Sequence, residues 1–371
     1  APPELKRMAM AELRSQLRNP DHMQTEQCAI TCRVAPSFTR VGHLELHGRR
    51  ARKGGEQELL HLELIVKHAL FREYADIDDP SAELQVRILR MIREYAKRLS
   101  KLVSDWLRVG YCQGNFNSDN CLVAGRTMDY GPFGFIEKYE PLWNMWVGGG
   151  EHFAFMKQPG AAHKNFGSFV KAVSPLLSEG GVMEAEAAVE SFPRVCNEAC
   201  NDMWRRKLGL QAWDKEAAQL FEALEDLMSN SSVDYTILWR QLAELPAQGH
   251  TSNSPSESLF HSLERAFYVE LAKADKDKWV EWLKLWLARI QTEAAPQEAA
   301  ALMRRTSPKY VPREWMLVEA YEAASKGDYG FLQALYGLFS KAYDEQPEFE
   351  ERYYRKAPAS AAERGGVAFM S

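Results

Sequence analysis

Helical periodicity is the feature that most limits what this chain can fold into. Between Ser81 and Leu107 apolar residues recur at every third or fourth position, and the segment from Glu56 to Tyr74 repeats the pattern. This spacing gathers the apolar side chains on one face of an α-helix. After about Val170 the sequence is again typical of helices, with a polar break near residues 247 to 258. The pattern predicts an α+β protein that is predominantly α.

Two regions interrupt the helical pattern. The first, "CAITCRVAPSFTRVGHLELHG", is rich in Val, Ile, Thr and Phe around a Pro-Ser step, and it predicts two short strands around a turn. The second, "VGYCQGNFNSDNCLVAGRTMDYGPFGF", mixes Gly, Asn and Asp with short apolar pieces, which is typical of loop, strand and loop. Because functional residues concentrate on loops that a rigid scaffold positions, we look there for the site.

Composition narrows the possible partners. The chain has 371 residues, of which 46% are hydrophobic, and a formal net charge of -5. Such a chain has no general basic field, so we expect no nucleic acid partner. No apolar run approaches the length of a membrane span, so we expect no membrane partner. The pairs Cys28/Cys32 and Cys196/Cys200 are not C-x-x-C motifs, and we interpret them as buried or incidental thiols.

The candidate chemistry lies in three oxygen-bearing side chains. Asp119 and Asn120 precede a short apolar run, Cys121 to Ala124, which predicts a strand, and Asp129 follows it. Two hard oxygen ligands on one side of a strand and turn suit Mg²⁺, and a further acid can orient or deprotonate a nucleophile. "DYG" at positions 129 to 131 is similar to the D-F-G turn of protein kinases. The alternative is an Asx-rich turn with solvated carboxylates.

Two arginines strengthen the case for a nucleotide and metal site. Arg33 and Arg40 lie seven positions apart in "CRVAPSFTR", across a predicted turn that lets both guanidinium groups face one anion. Arginine forks match phosphate oxygens bidentately. The alternative is a pair of unrelated surface arginines.

Two segments carry a family resemblance. "TCRVAPSFTRVGHLEL" and "NSDNCLVAGRTMDYGPFGFIEKYEP" closely resemble the selenoprotein O (YdiU) family patterns T-R-V-A-P-S-x-x-R-x-G-x-x-E and N-T-D-N-x-x-x-x-x-x-x-x-D-Y-G-P-F-G-F. Further similarity in "FAFMKQPGAAHKNF", "MWRRKLGL", "RRTSPKYVPREW" and "YDEQPEFEERYY" extends over nearly the whole chain. The resemblance implies a protein-kinase-like fold that binds ATP in a flipped orientation. The implied reaction is transfer of AMP to Ser, Thr or Tyr hydroxyls of proteins, with release of pyrophosphate.

The resemblance also implies a role for each candidate residue. Asp119 matches the catalytic base, and Asn120 and Asp129 match the metal ligands, with Asp129 also close to the nucleotide phosphates through the metal. Arg33 and Arg40 match the arginines that hold the outer phosphate of the flipped nucleotide. The implied cofactors are ATP and Mg²⁺, with Mn²⁺ as an alternative, and the implied partners are protein substrates that bear Ser, Thr or Tyr.

One departure from the family concerns the nucleotide-binding lobe. Family members carry that lobe before the R-V-A-P-S motif, whereas 32 residues precede Arg33 here. We therefore expect residues 1–172 to form the C-lobe portion of a kinase-like catalytic core. Residues 173–371 are then a helical C-terminal region that ends in a flexible tail.

Two other functions stay open beside protein adenylyltransferase. One is an inactive, pseudokinase-like helical scaffold that binds a protein partner, and the other is a protein kinase that transfers phosphate. By analogy with the family alone, the location is mitochondrial for a eukaryotic protein and cytoplasmic for a bacterial one.

Overall fold

The computed structural model of the chain describes residues 30, 32–128, 130, 134–145 and 150–362. The backbone divides into two compact units, residues 1–36 and 37–371. The described residues 32–36 of the first unit are exposed and contain neither helix nor strand. The tail from residue 363 onward lies outside the described residues.

The second unit consists mainly of helices, as the sequence predicts. A kinase-like arrangement of these helices and the division at residues 172 and 173 stay predictions. The helices are α1 (Val41–Ala51), α2 (Glu56–Glu73), α3 (Leu84–Val109), α4 (Gln158–Val173), α5 (Glu179–Lys207), α6 (Lys215–Asn230), α7 (Tyr235–Ala247), α8 (Ser256–His261), α9 (Lys273–Glu293), α10 (Pro296–Thr306), α11 (Glu314–Ala324), α12 (Gly330–Ser340) and α13 (Pro347–Tyr353).

The two helices with the clearest periodicity are confirmed as α2 and α3. Helix α3 buries a continuous face and ends at Gly110, whose φ of 78° lies in the left-handed region. Glycine adopts this conformation without a Cβ penalty, which makes it a common helix terminator. The chain then turns directly into the segment that contains the candidate site.

The strands predicted around the Pro-Ser step are wrong where the chain is described. The segment after Arg40 is helix α1, because its buried residues Val41, Leu44 and Gly48 recur with helical spacing. A Cβ added at Gly48 would lie 2.2 Å from the carbonyl oxygen of Ala172. The glycine therefore lets α1 approach the end of α4 closely.

The strand predicted between Asp119 and Asp129 is also wrong in its extent. Within residues 37–128, this segment pairs only through isolated bridges, from Leu122 to Arg40 and from Cys121 to Thr127. Positions 123 and 124 already belong to a turn. The partner of Leu122 is Arg40, the residue before α1, so the pairing ends where the helix begins.

The hydrophobic core extends across the second unit and is rich in aromatic rings. Tyr95 of α3 contacts Phe169 of α4, with ring centroids 4.5 Å apart. Trp282 and Trp286 of α9 stack at 5.6 Å and are buried in the core. Among the described helices, none combines the length and apolarity needed to cross a bilayer.

A buried ionic cluster connects three segments of the second unit that lie far apart in the sequence. The guanidinium of Arg313 donates to both carboxylate oxygens of Asp234, at 2.7 and 2.8 Å, and to Glu137 at 2.6 Å. Arg313 and Asp234 are buried. Because a buried charge is tolerated only when it is paired, this cluster fixes the segment around Glu137 to the C-terminal helices.

Candidate active site

Asp119 lies in the middle of a 3-10 turn, Ser118–Asn120. The side-chain oxygen of Asn117 accepts a hydrogen bond of 3.0 Å from the backbone N–H of Asp119. An Asx side chain that caps its own turn in this way holds the backbone in one conformation. The Asp119 side chain itself is exposed, so its carboxylate is available to a bound molecule.

Backbone pairing holds this turn against the start of α1. Arg40 and Leu122 form an antiparallel bridge, and the N–H of Val41 donates to the carbonyl of Cys121 at 2.8 Å. The two sequence motifs that the family resemblance joins, R-V-A-P-S-x-x-R and N-S-D-N, therefore meet at their ends.

Gly42 allows the closest part of this contact. A Cβ built at Gly42, in the first turn of α1, would lie 2.2 Å from Oδ1 of Asp119. Any other residue here would displace the carboxylate. The first turn of a helix also carries partial positive charge, which favours an anionic group beside it.

Arg40 has an unusual environment for its guanidinium. Its backbone N–H donates to Nδ1 of His43 at 3.2 Å, but its side-chain Nε is buried without a hydrogen-bond partner in the described part of the chain. Buried polar atoms are rarely left unsatisfied in a finished structure. A phosphate oxygen would supply the missing acceptor, so this residue fits its predicted role.

Asn120 is oriented by a neighbouring backbone carbonyl. Its side-chain nitrogen donates to the carbonyl oxygen of Asn115 at 2.8 Å. With the nitrogen occupied, the amide oxygen is the atom left to accept or to coordinate. An amide oxygen is a hard ligand of the kind that Mg²⁺ prefers, so Asn120 fits its predicted role.

Glu45 is a site residue for which the sequence predicted no role. Its Oε2 accepts a hydrogen bond of 2.6 Å from Oγ of Ser118, which ties the turn to the first half of α1. Glu45 occupies the final acidic position of the pattern R-x-G-x-x-E. The acidic position of that pattern was the sequence signal for Glu45. Its hydrogen bond with Ser118 could not be predicted from the sequence.

The predicted metal ligand Asp129 lies outside the described residues. Among described residues, the backbone N–H of Cys112 donates to the carbonyl of Gly134 at 2.7 Å, and Tyr111 pairs with Phe135. These contacts join residues 111 and 112, which follow α3, to residues 134 and 135. Burial raises the pKa of the Cys112 thiol to about 12, so this cysteine stays neutral near pH 7.

Two further predictions are not tested by this geometry. Arg33 is an exposed residue of the first unit, and its place beside the other site residues stays a prediction. Within the described ranges, no group of three His, Cys, Asp or Glu side chains is arranged for a metal ion. The predicted ligand pair of Asn120 and Asp129 includes a residue beyond those ranges, so it also stays a prediction.

A cavity of about 560 Å³ lies between α3 and the segment that leads to Tyr130, and Asp119, Asn120 and Arg40 are not among its lining residues. At its rim, Asp105 accepts hydrogen bonds from Lys101 and Arg108 at 2.5 and 2.9 Å. Burial opposes ionisation of Asp105, but these two bonds outweigh it and lower its pKa below the usual 3.8. The cavity has aromatic walls, formed by Trp106, Tyr111, Tyr130 and Phe135.

Comparison with known proteins decides the family. The model of the family described as "Protein adenylyltransferase SelO" matches residues 4–340. The chain belongs to the SelO family. Its relatives include proteins named "Protein nucleotidyltransferase YdiU" from Aromatoleum aromaticum, 31% identical over 351 residues, and from Xanthomonas campestris pv. campestris, 33% identical over 358 residues.

The alignments with these relatives cover most of this chain but a smaller share of each relative's length. Each of these two alignments includes 94% of this chain and 64% of the relative. A third relative with the same name, from Flavobacterium johnsoniae, is 31% identical and is covered to the same 64%. The chain therefore spans just under two thirds of the length of these SelO proteins.

Proposed function

We propose that this chain contributes the catalytic turn of a protein adenylyltransferase, which transfers AMP from ATP to Ser, Thr or Tyr hydroxyls of a protein. One observation carries the proposal: the turn with Asp119 and the segment with Arg40 are paired through their backbones, and Nε of Arg40 is buried without a partner among the described residues. Membership of the SelO family and the names of the relatives support the same reaction.

The proposed reaction divides the work among a few side chains. A hydroxyl oxygen of the acceptor attacks the α-phosphorus of ATP, the bond to the β-phosphate oxygen breaks, and pyrophosphate leaves. Asp119 accepts or orients the hydroxyl proton, as a positioned carboxylate does in general base catalysis. Arg40, together with Arg33, holds the outer phosphate of a flipped nucleotide by charge-assisted hydrogen bonds. The kinase-like fold that the family resemblance implies would accommodate this arrangement.

We assign the cation site to Asn120 and Asp129. Their oxygens would hold Mg²⁺, or Mn²⁺ in its place, which would neutralise charge on the phosphates. The chain's own contribution is orientation, because the carbonyl of Asn115 holds the amide nitrogen of Asn120 and leaves the amide oxygen as the atom that can coordinate.

Mass spectrometry of an acceptor tests the proposed function. The full chain is incubated with ATP, Mg²⁺ and casein as the probe acceptor, and both proteins are analysed for added mass. We expect an AMP-sized increment, and we expect Asp119→Asn to slow its formation by about 10²- to 10⁴-fold because the general base is lost. A phosphate-sized increment would instead assign the chain to the protein kinases.

The control for this experiment is Asp277→Asn. Asp277 is an exposed residue of α9 and lies in a different part of the second unit. This variant loses the same charge and should keep the rate of the wild-type chain. If no increment forms on either protein, the proposed function is wrong and the inactive scaffold becomes the better interpretation.

A further inference from the structure

Two buried amide side chains of α4 contact the segment that leads to Asp119. Gln158, the first residue of α4, is fully buried. Its oxygen accepts from the backbone N–H of Gln113 at 3.0 Å, and its nitrogen donates to the carbonyls of Tyr111 and Phe155 at 2.9 and 3.1 Å. The amide thus pairs with an N–H and a carbonyl of the same loop, as a neighbouring strand would.

Asn165 repeats this contact two turns further along α4. It is 4% exposed, and its nitrogen donates to the carbonyl of Phe116 at 2.8 Å. Seven residues of an α-helix span about 10 Å along the axis, and positions seven apart share one face. Gln158 and Asn165 therefore hold the two ends of residues 111–116 from one rigid element.

The helix that carries these amides is firmly anchored. Phe166 and Phe169 of α4 contact Tyr95 of α3, at centroid distances of 6.0 and 4.5 Å. Phe166 also stacks on Phe192 of α5 at 4.9 Å. A helix fixed on two sides gives the amides a constant position relative to α3, at whose end the loop begins.

A short series of hydrogen bonds continues from these amides to the catalytic turn. The side-chain oxygen of Gln113 accepts from the N–H of Asn115 at 2.9 Å. Asn115 in turn supplies the carbonyl that holds Asn120, while Asn117 caps Asp119. These hydrogen bonds connect the loop backbone to Asp119 and Asn120 over a few residues.

We propose that Gln158 and Asn165 are positioning residues, which hold the backbone of residues 111–116 so that Asp119 and Asn120 face the reacting groups. Neither residue needs to touch the nucleotide. The proposal rests on the proposed function for its catalytic consequence. Its structural content, that these two amides order this loop, can be tested separately.

The test replaces each amide by an acid of the same shape. In Gln158→Glu and Asn165→Asp, an oxygen replaces the donating nitrogen and faces a carbonyl, so a hydrogen bond becomes a repulsion. We expect kcat for AMP transfer to fall by about 10- to 100-fold, because small displacements of catalytic groups have effects of that size. KM for ATP should rise less than kcat falls, because the proposed phosphate ligands Arg33 and Arg40 lie outside the displaced loop.

The matched control is Gln346→Glu. The nitrogen of Gln346 also donates to two backbone carbonyls, those of Leu338 and Lys341 at 3.1 and 2.8 Å. This amide belongs to the C-terminal helices. Its loss should lower the melting temperature without changing kcat, so the control separates a general loss of stability from misplacement of the catalytic loop.

Hydrogen exchange measured on peptides supplies the second readout. We expect Gln158→Glu and Asn165→Asp to lose protection in the peptide that covers residues 111–120, while peptides from α3 and α5 keep theirs. Unchanged exchange there, or a kcat equal to that of the wild type, would overturn the proposal. If the wild type itself transfers no AMP, the proposed function fails, and the exchange data alone decide whether the amides order the loop.

Discussion

At the scale of single residues, the proposed function depends most on Nε of Arg40, which is buried without a hydrogen-bond partner in the described part of the chain. The spacing of oxygen donors and the family pattern named Asp119, Asn120 and Arg40 as candidate site residues. The sequence carries no sign that Nε of Arg40 would be buried without a partner in the described structure. Nor does it show that Gln158 would reach Gln113 across 45 positions, since such contacts depend on tertiary packing.

The buried, unpartnered Nε of Arg40 leads to a prediction about nucleotide binding. We expect Arg40→Lys to weaken binding of ATP with Mg²⁺ by about 10- to 100-fold, because hydrogen bonds between charged groups contribute roughly 1.5–3 kcal/mol. Lysine keeps the charge but loses the planar fork. Calorimetric titration of the full chain measures the effect.

The matched control is Arg49→Lys. Arg49 is an exposed residue in the last turn of the same helix, α1, and this variant should bind ATP as the wild type does. Equal affinity of Arg40→Lys and the wild type would remove Arg40 from the phosphate site.

At the scale of elements, long amphipathic helices were predictable and short segments were not. The periodicity of α2 and α3 extends over enough residues to outweigh local preferences. Helix α1 was missed because β-branched residues around Arg40 favour strands locally, whereas burial of Val41, Leu44 and Gly48 against the rest of the unit selects a helix. Local propensity was overridden by tertiary packing.

The contact between α1 and the catalytic turn gives a prediction of its own. In Gly42→Ala the new methyl group would lie 2.2 Å from Oδ1 of Asp119, so the carboxylate must move. We expect the rate of AMP transfer to fall by about 10- to 100-fold. The melting temperature should change little, because Asp119 is exposed and is able to rotate away.

Gly180→Ala is the matched control for this substitution. Gly180 is the second residue of α5, as Gly42 is of α1, and a Cβ there would have no atom within 4 Å. Alanine replaces glycine favourably inside a helix, by about 0.5–1 kcal/mol. This variant should therefore be slightly more stable and equally active, and an equal rate for Gly42→Ala would contradict the proposed contact.

At the scale of the whole molecule, composition and periodicity predicted a mainly helical protein, and the structure confirms it. The polar break was also correct, since α7 ends at Ala247 and α8 begins at Ser256. The buried cluster around Arg313 was not predictable, because its three charged members come from positions 137, 234 and 313. Only the folded chain shows that Arg313 pairs with both carboxylates.

The nature of the product released from ATP tests the central claim most directly. The full chain is incubated with ATP, Mg²⁺ and an acceptor protein, and the phosphorus-containing products are identified by ³¹P NMR. Attack at the α-phosphorus predicts that pyrophosphate appears together with protein-bound AMP. Release of ADP, with phosphate on the acceptor, would contradict the account.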